Sequence, residues 1–150
     1  MTEASEGTTI WFAPVNPAEL TRYSQDCMPG KLGITIDDVG PDWLRGSMPV
    51  NDLTRQPYGL LHGGASCVLS ETLGSIASTL VLDTSKELAL GQTIDASHVR
   101  GVRDGRVYGI SRPEHLGRRS HVWTTHIYDP KDRVVCISRL TVAIVERRDG

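Results

Sequence analysis

The chain has 150 residues, of which 39% are hydrophobic and 23% are charged, and its formal net charge at pH 7 is −2. These values are typical of one globular domain spanning residues 1–150, and they argue against a disordered or repetitive chain and against general binding to nucleic acid. Cys27, Cys67 and Cys136 are widely separated and form no C-x-x-C pair. We therefore expect no zinc or redox site, and a cytoplasmic location.

Two segments bear on export and membrane insertion. The N-terminal residues, MTEASEGTTIWF, have no basic region before an apolar run, so they do not resemble a signal or transit peptide, and we expect residues 1 to about 10 to be disordered. Residues 63–82 are the most apolar window and are long enough for a membrane span. Several serines and one glutamate interrupt them, which favours a buried helix and no membrane anchor.

The predicted elements begin with a short helix. In NPAEL, Asn16 can cap a helix and Pro17 suits its first position, and the helix should run to about Met28. Two strands should follow, over residues 31–39 and 43–50, because both segments alternate partially and a GPD turn separates them.

A loop over residues 51–64 leads into a strongly patterned helix over residues 63–82. At 100° per residue, one mostly apolar stripe should face a core: Ala65, Leu69, Thr72, Leu73, Ile76 and Leu80. Roughly opposite lie small residues around one carboxylate: Gly64, Cys67, Glu71, Gly74, Ser75 and Ser78. A solvated face normally carries several charges, so we expect this second face to pack closely on something else.

Four further strands are predicted after the helix, because β-branched residues and period-two alternation recur between turn sequences. They cover residues 87–102, 106–116, 122–129 and 134–145. We expect these four to form an antiparallel meander. Together with the first pair they predict an α+β architecture of about six strands in one sheet with one long helix. Such a layer leaves surfaces uncovered unless the protein forms dimers or tetramers.

Glu71 is the only charged residue between residues 63 and 82, and its neighbours suggest chemistry. Ser75 lies one turn further along the same face, where both side chains can hold one water. Gly63 and Gly64 begin the helix, so their N–H groups have no intrahelical partner and a carbonyl oxygen can approach them. A pair of donors and an acid on one helix are the minimum for hydrolysis of an acyl group.

Each of these residues also has a plainer explanation, which the sequence leaves open. Glu71 can pair with an arginine of the sheet or of a neighbouring subunit. His62 can simply cap or brace the loop, Gly63 and Gly64 can form only a tight turn, and Gln56 can be an ordinary surface residue.

The segment between Arg100 and Arg119 contains six arginines but only two carboxylates. A local basic patch in a slightly acidic protein suggests one anionic ligand, although solvated strand arginines are the alternative. His121 and His126 are five residues apart on a strand and so face opposite sides, and we expect no metal site.

The segment QPYGLLHGGASCVLSETLGS, residues 56–75, resembles the signature of the hotdog-fold acyl-CoA thioesterases, in the branch that acts on 4-hydroxybenzoyl-CoA and 1,4-dihydroxy-2-naphthoyl-CoA. The same resemblance covers MPVNDLTRQP, ASHVRGVRDGRV, HLGRRSHVW and CISRLTVAIV, which occupy residues 48–57, 96–107, 115–123 and 136–145. It implies a sheet wrapped around a central helix, dimers joined edge to edge, and usually dimers of dimers.

The resemblance also implies a role for each residue of the helix motif. Glu71 would be the nucleophile or general base. The N–H of Gly63, aided by Gln56, would polarise the thioester carbonyl, Ser75 would position water, and His62 would assist near the thioester. Gln56 and Glu71 serving one substrate would come from different subunits.

Coenzyme A would bind as part of the substrate, and no separate cofactor is implied. By resemblance its channel would be lined by Gly91, His98, Val99, Arg100, Gly101, His115, Leu116, Gly117, Arg118, Arg119 and Ser120. Arg100, Arg118 and Arg119 would contact its phosphates.

The expected substrate is an aromatic or β-keto acyl-CoA. The first candidate is the dihydroxynaphthoyl thioester of menaquinone synthesis, and a benzoyl or phenylacetyl thioester is the second. One alternative is a hotdog dehydratase or hydratase, which the lack of a histidine on the face of Glu71 disfavours. The other is an acyl-CoA-binding oligomer without catalysis.

Overall fold

The computed structural model describes residues 7–148. Most of the segment expected to be disordered, residues 1–6, lies outside this range. Ile10, at the end of that segment, is held in place: its N–H donates to the carbonyl of Pro41 at 3.0 Å, and its side chain packs against the core. Ile10 therefore belongs to the packed part of the chain.

Among the described residues, three helices and six strands follow one another in sequence. The helices are α1 (Pro17–Tyr23), α2 (Met28–Lys31) and α3 (Gly63–Val81). The strands are β1 (Thr35–Val39), β2 (Leu44–Pro49), β3 (Glu87–His98), β4 (Arg106–Leu116), β5 (Ser120–Tyr128) and β6 (Val134–Glu146). Within residues 7–148, no helix combines the length and hydropathy needed to cross a membrane.

The N-terminal helix is capped as predicted but is shorter. Asn16 Oδ1 accepts from the N–H of Ala18 at 3.0 Å. The prediction that this helix reaches about Met28 is wrong, because α1 ends at Tyr23 and a separate short helix begins at Met28. The chain turns after Tyr23, where the carbonyl of Ser24 accepts hydrogen bonds from the N–H groups of Cys27 at 3.3 Å and Gly30 at 3.1 Å, and Pro29 then suits the first turn of the new helix.

The described strands form one antiparallel sheet in the order β1-β2-β4-β5-β6-β3. The predicted sheet of about six strands with one long helix is confirmed, but the four-stranded meander is wrong. Of the four strands after α3, only β4, β5 and β6 pair in sequence order, and β3 pairs with β6 instead of β4. The reason is the path of α3, which lies across the sheet in contact with β2 to β6 and carries the chain to the far edge.

The face of α3 that contacts the sheet is displaced from the predicted stripe. Its buried residues are Ala65, Ser66, Leu69, Ser70, Leu73, Gly74, Ala77 and Ser78. Gly74 and Ser78, expected on the opposite face, lie against the sheet because small residues permit close approach. A Cβ on Gly74 would lie 2.7 Å from Leu140 Cδ2, and Ser78 Oγ accepts from Trp123 Nε1 at 2.7 Å. Glu71 stays half-buried on another side of the helix.

Candidate active site

The N-terminus of α3 presents a free backbone donor. His62 is the N-cap residue, and its Nδ1 accepts from the N–H of Gly64 at 2.8 Å. The plainer role of His62, capping the helix, is therefore seen directly. Among residues 7–148, no group accepts a hydrogen bond from the N–H of Gly63. This donor remains available to the carbonyl oxygen of a ligand.

Gln56 lies beside Gly63 in the lining of a cavity of about 370 Å³. Its Oε1 accepts from the N–H of Tyr58, so the amide NH₂ is the part left to donate. The imidazole of His98 lies over Gly63, since a Cβ there would be 2.7 Å from His98 Nε2. The same cavity is lined by the predicted coenzyme A contacts His98, Val99, Arg100 and Gly101. We call Gln56, Gly63 and residues 98–101 the donor half.

Glu71 and Ser75 face β3 together at Gly91. A Cβ on Gly91 would overlap Glu71 Oε1 and would lie 3.7 Å from Ser75 Oγ. A side chain at Gly91 would force the Glu71 carboxylate to move, so glycine leaves room for the carboxylate in its present position. In the part of the chain that the structure describes, Glu71 forms no salt bridge. We call Glu71, Ser75 and Gly91 the acid half.

The two halves are too far apart within one chain to act on the same carbonyl group. Gly63 and Glu71 are eight residues apart on α3, which is about 12 Å along the helix axis. On β3, Gly91 and His98 are seven residues apart, or about 23 Å. A carbonyl bound by a donor and attacked by an acid needs these groups within roughly 7 Å of each other.

The remaining predicted coenzyme A contacts lie at the end of β4, in the turn that follows it, and at the first residue of β5. They are His115, Leu116, Gly117, Arg118, Arg119 and Ser120, and the N–H of Gly117 donates to the carbonyl of Ser120 at 2.9 Å. Ser120 pairs with Ala143, which pairs on its other side with Leu90, next to Gly91. The turn therefore lies at the same end of the sheet as the acid half. The structure does not bring it to Arg100.

A buried polar cluster under α3 was not anticipated from the sequence. His121 Nδ1 lies 3.1 Å from Ser78 Oγ, which also accepts from Trp123 Nε1. Burial lowers the pKa of His121, and nearby His115 lowers it further. Alternation along β5 places His121 on the inner face and His126 on the outer one, as predicted. The partner on α3 could not be found without the packing of helix on sheet.

The chain is similar to known thioesterases over nearly its whole length. Residues 58–136 match the Thioesterase superfamily. The 1,4-dihydroxy-2-naphthoyl-CoA hydrolase of Escherichia coli (strain K12) is 44% identical over 136 residues, which cover 91% of this chain and 99% of that protein. The proofreading thioesterase EntH of Cronobacter sakazakii is also 44% identical over 136 residues, covering 91% and 98%.

A solved structure has the same fold. A mutant of thioesterase PA1618 from Pseudomonas aeruginosa superposes with a TM-score of 0.91 at 40% identity, covering 93% of this chain and 100% of that one. The six-stranded sheet with its long helix is thus the hotdog fold expected from the sequence. On the family match and these relatives together, the chain belongs to the thioesterase superfamily and is a thioester hydrolase.

Proposed function

We propose that the protein hydrolyses the thioester of an aromatic acyl-CoA, releasing the free acid and coenzyme A. Membership of the thioesterase superfamily carries the reaction class. The name of the Escherichia coli relative, a 1,4-dihydroxy-2-naphthoyl-CoA hydrolase, supports an aromatic acyl group. A place in menaquinone synthesis remains a prediction from the sequence. The observation that carries the mechanism is the Glu71 carboxylate, which lies beside a cavity and pairs with no cation within residues 7–148.

In the proposed mechanism the donors act on the oxygen and the acid acts on the carbon. The N–H of Gly63 and the amide of Gln56 hold the carbonyl oxygen, where negative charge develops in the transition state. Glu71 either attacks the carbonyl carbon or takes a proton from a water held by Ser75. If Glu71 attacks, the C–S bond breaks as an anhydride forms between the acyl group and Glu71, and water then hydrolyses that anhydride; if water attacks, the C–S bond breaks directly. In both routes coenzyme A leaves as its thiol, and water supplies the oxygen of the free acid and the protons of the products. His62 holds the loop through its bond to the backbone.

This mechanism needs two subunits, and β3 supports an edge-to-edge dimer. In the described chain β3 is a twelve-residue edge strand with a neighbour on one side only, and most of its residues are exposed. Its other side presents unpaired N–H and C=O groups, which a second copy of the same strand can satisfy. Antiparallel pairing would bring the donor half of one subunit to the acid half of its partner.

The positions of the two halves support one two-fold axis. If Gly63 of each subunit meets Glu71 of the other, the axis passes half-way between them, near Cys67 of α3. On β3, the half-way point between the two halves is close to Ile94. Cys67 and Ile94 line the same cavity, so a single axis suits both elements. The dimer of dimers and the cytoplasmic location remain predictions.

The same two-fold symmetry would bring together the arginines proposed to bind the phosphates of coenzyme A. Arg100 lies in the donor half, while Arg118 and Arg119 are exposed at the acid end of the sheet. In the proposed dimer, the turn of one subunit approaches the donor half of its partner. All three guanidinium groups would then be available to the phosphates through charge-assisted hydrogen bonds.

A thiol-release assay tests this function. Wild-type protein should release coenzyme A from benzoyl-CoA and 2-naphthoyl-CoA faster than from straight-chain thioesters. Glu71→Gln should lower kcat roughly 10²- to 10⁴-fold, because it removes the base or nucleophile without removing volume. Glu19→Gln, on exposed α1, is the matched control and should leave kcat unchanged. Binding of the thioesters without release of thiol by the wild type would favour a non-catalytic acyl-CoA-binding oligomer instead.

A further inference from the structure

Gln56 lies in a tight turn that fixes its side-chain amide. The N–H of Gln56 donates to the carbonyl of Leu60 at 2.8 Å, and the N–H of Gly59 donates to the carbonyl of Gln56 at 2.9 Å. Gly59 has a φ of 80°, a left-handed conformation that favours glycine. Because Gln56 Oε1 accepts from the N–H of Tyr58, the direction of its free NH₂ group depends on where the backbone of this turn lies.

Arg103 contacts this turn from the segment between β3 and β4. Its Nη1 donates to the carbonyl of Tyr58 at 3.4 Å, and a Cβ on Gly59 would lie 3.7 Å from the same nitrogen. Tyr58 therefore connects Arg103 to Gln56, because its N–H donates to the amide oxygen and its carbonyl accepts from the guanidinium. Among residues 7–148, no carboxylate pairs with Arg103.

The backbone around Arg103 is anchored to both ends of the turn. The carbonyl of Arg103 accepts from Arg55 Nε at 2.9 Å, and Arg55 directly precedes Gln56. The carbonyl of Val102 accepts from the N–H of Leu61 at 2.7 Å, and Val102 is buried. These two bonds hold the Arg103 backbone in place, and they use only its carbonyl and that of its neighbour. Loss of the Arg103 side chain therefore removes its contact with the turn and leaves both anchors intact.

We propose that Arg103 is a positioning residue for the hydrolysis and that it acts through Gln56. By holding the Tyr58 carbonyl, it keeps the Gln56 amide directed at the place where the carbonyl oxygen of the substrate binds. Such a donor is effective because it is aligned before the reaction begins. This assignment rests on the proposed function, and it separates Arg103 from the arginines proposed to bind the phosphates of coenzyme A.

A thioester without phosphates distinguishes positioning from phosphate binding. S-benzoyl-N-acetylcysteamine carries the benzoyl thioester and the end of the pantetheine arm, but no phosphate. Arg103→Met keeps an unbranched apolar side chain and removes the donors. It should lower kcat/KM roughly 10- to 100-fold for both benzoyl-CoA and this thioester, because misplacement of a group by about 1 Å can cost about 100-fold. Arg100→Met, at a proposed phosphate contact, should lower kcat/KM for benzoyl-CoA only.

A double-mutant cycle tests whether the effect of Arg103 depends on Gln56. In the Gln56→Ala background, Arg103→Met should lower the single-turnover rate by less than about threefold, because the amide that Arg103 positions is already absent. Independent effects would multiply instead. Arg112→Met is the matched control, since Arg112 is an exposed arginine of β4 that pairs with Asp42 at 3.3 Å, in the turn between β1 and β2. It should leave kcat/KM unchanged for both thioesters.

The outcomes separate this proposal from the proposed function. If Arg103→Met affects benzoyl-CoA but not the phosphate-free thioester, Arg103 binds phosphate and the proposal is wrong. If the two substitutions multiply in the cycle, or if Arg103→Met leaves both substrates unaffected, Arg103 does not act through Gln56. A general loss of folded protein would lower both backgrounds equally and would also overturn the proposal. In each of these cases hydrolysis through Glu71 still stands; it is wrong if the wild type releases no thiol from either thioester.

Discussion

Mixing two inactive variants provides a direct test of the shared active site. The variants are Gln56→Ala, which removes a donor to the carbonyl oxygen, and Glu71→Gln, which removes the acid. Each should be nearly inactive alone, since loss of one such donor costs roughly 10²- to 10³-fold in kcat and loss of the acid costs more. Co-expression with two different affinity tags allows heterodimers to form and to be purified.

The expected activity of the mixture follows from the geometry. Because about 12 Å separates Gly63 from Glu71 along one helix, each site must take its donors from one subunit and its acid from the other. In a heterodimer, one site then has both native residues and the other has neither. Random association makes half of the dimers heterodimers, so the mixture should show about a quarter of wild-type activity. Purified heterodimer should show about half.

The assay is release of thiol from 2-naphthoyl-CoA, with native mass spectrometry to count heterodimers. Restored activity would exceed the residual activity of either variant by at least about tenfold. The reasoning would be refuted by heterodimers that are abundant yet no more active than the two parents. In that case Gln56 and Glu71 act in the same subunit, or one of them does not act at all.

Three further substitutions test the packing around the site. Gly91→Ala places a Cβ where Glu71 Oε1 lies, so kcat should fall at least about tenfold with little change in melting temperature; an unchanged kcat would contradict this contact. Gly74→Ala brings a Cβ to 2.7 Å from Leu140 Cδ2, and urea denaturation should show a net loss of roughly 1 kcal/mol, because overpacking outweighs the gain in helix propensity. The lowered pKa of His121 means that the unfolded chain binds more protons between that pKa and the ordinary value of 6.5. The contribution of His121 to the free energy of unfolding is therefore full above pH 6.5 and is lost as the pH falls towards the lowered pKa. His121→Gln should weaken this pH dependence in urea denaturation. An equal loss of stability at low pH in the wild type and the variant would refute this prediction.

Local sequence patterns predicted much of α3, the helix that holds Gly63, Glu71 and Ser75. The cap at Asn16 and the alternation along β5 both appear where the residues predicted them. The spacing of Glu71 and Ser75 was enough to place both on one face of a helix, because α-helical geometry depends only on positions within the segment. Gly63 at the start of α3 follows from the same local logic.

The break before α2 was missed for a different reason. The residues before Pro29 have no strong stop signal of their own, and the choice between one helix and two depends on where the chain must turn. That turn places Met28 at the first position of α2, where it lines the cavity beside Glu71.

By itself, the sequence determined the long helix and the six strands, the acid and its hydroxyl neighbour on that helix, and the free donor at the start of α3. Only the tertiary structure decided that β3 lies beside β6 and that Gly91 makes room for Glu71. The physical reason is that periodicity specifies which face of an element is apolar, whereas the partner of that face depends on the path of α3 across the sheet. The contact between residues distant in sequence, such as Glu71 and Gly91, can be predicted only when that path is known.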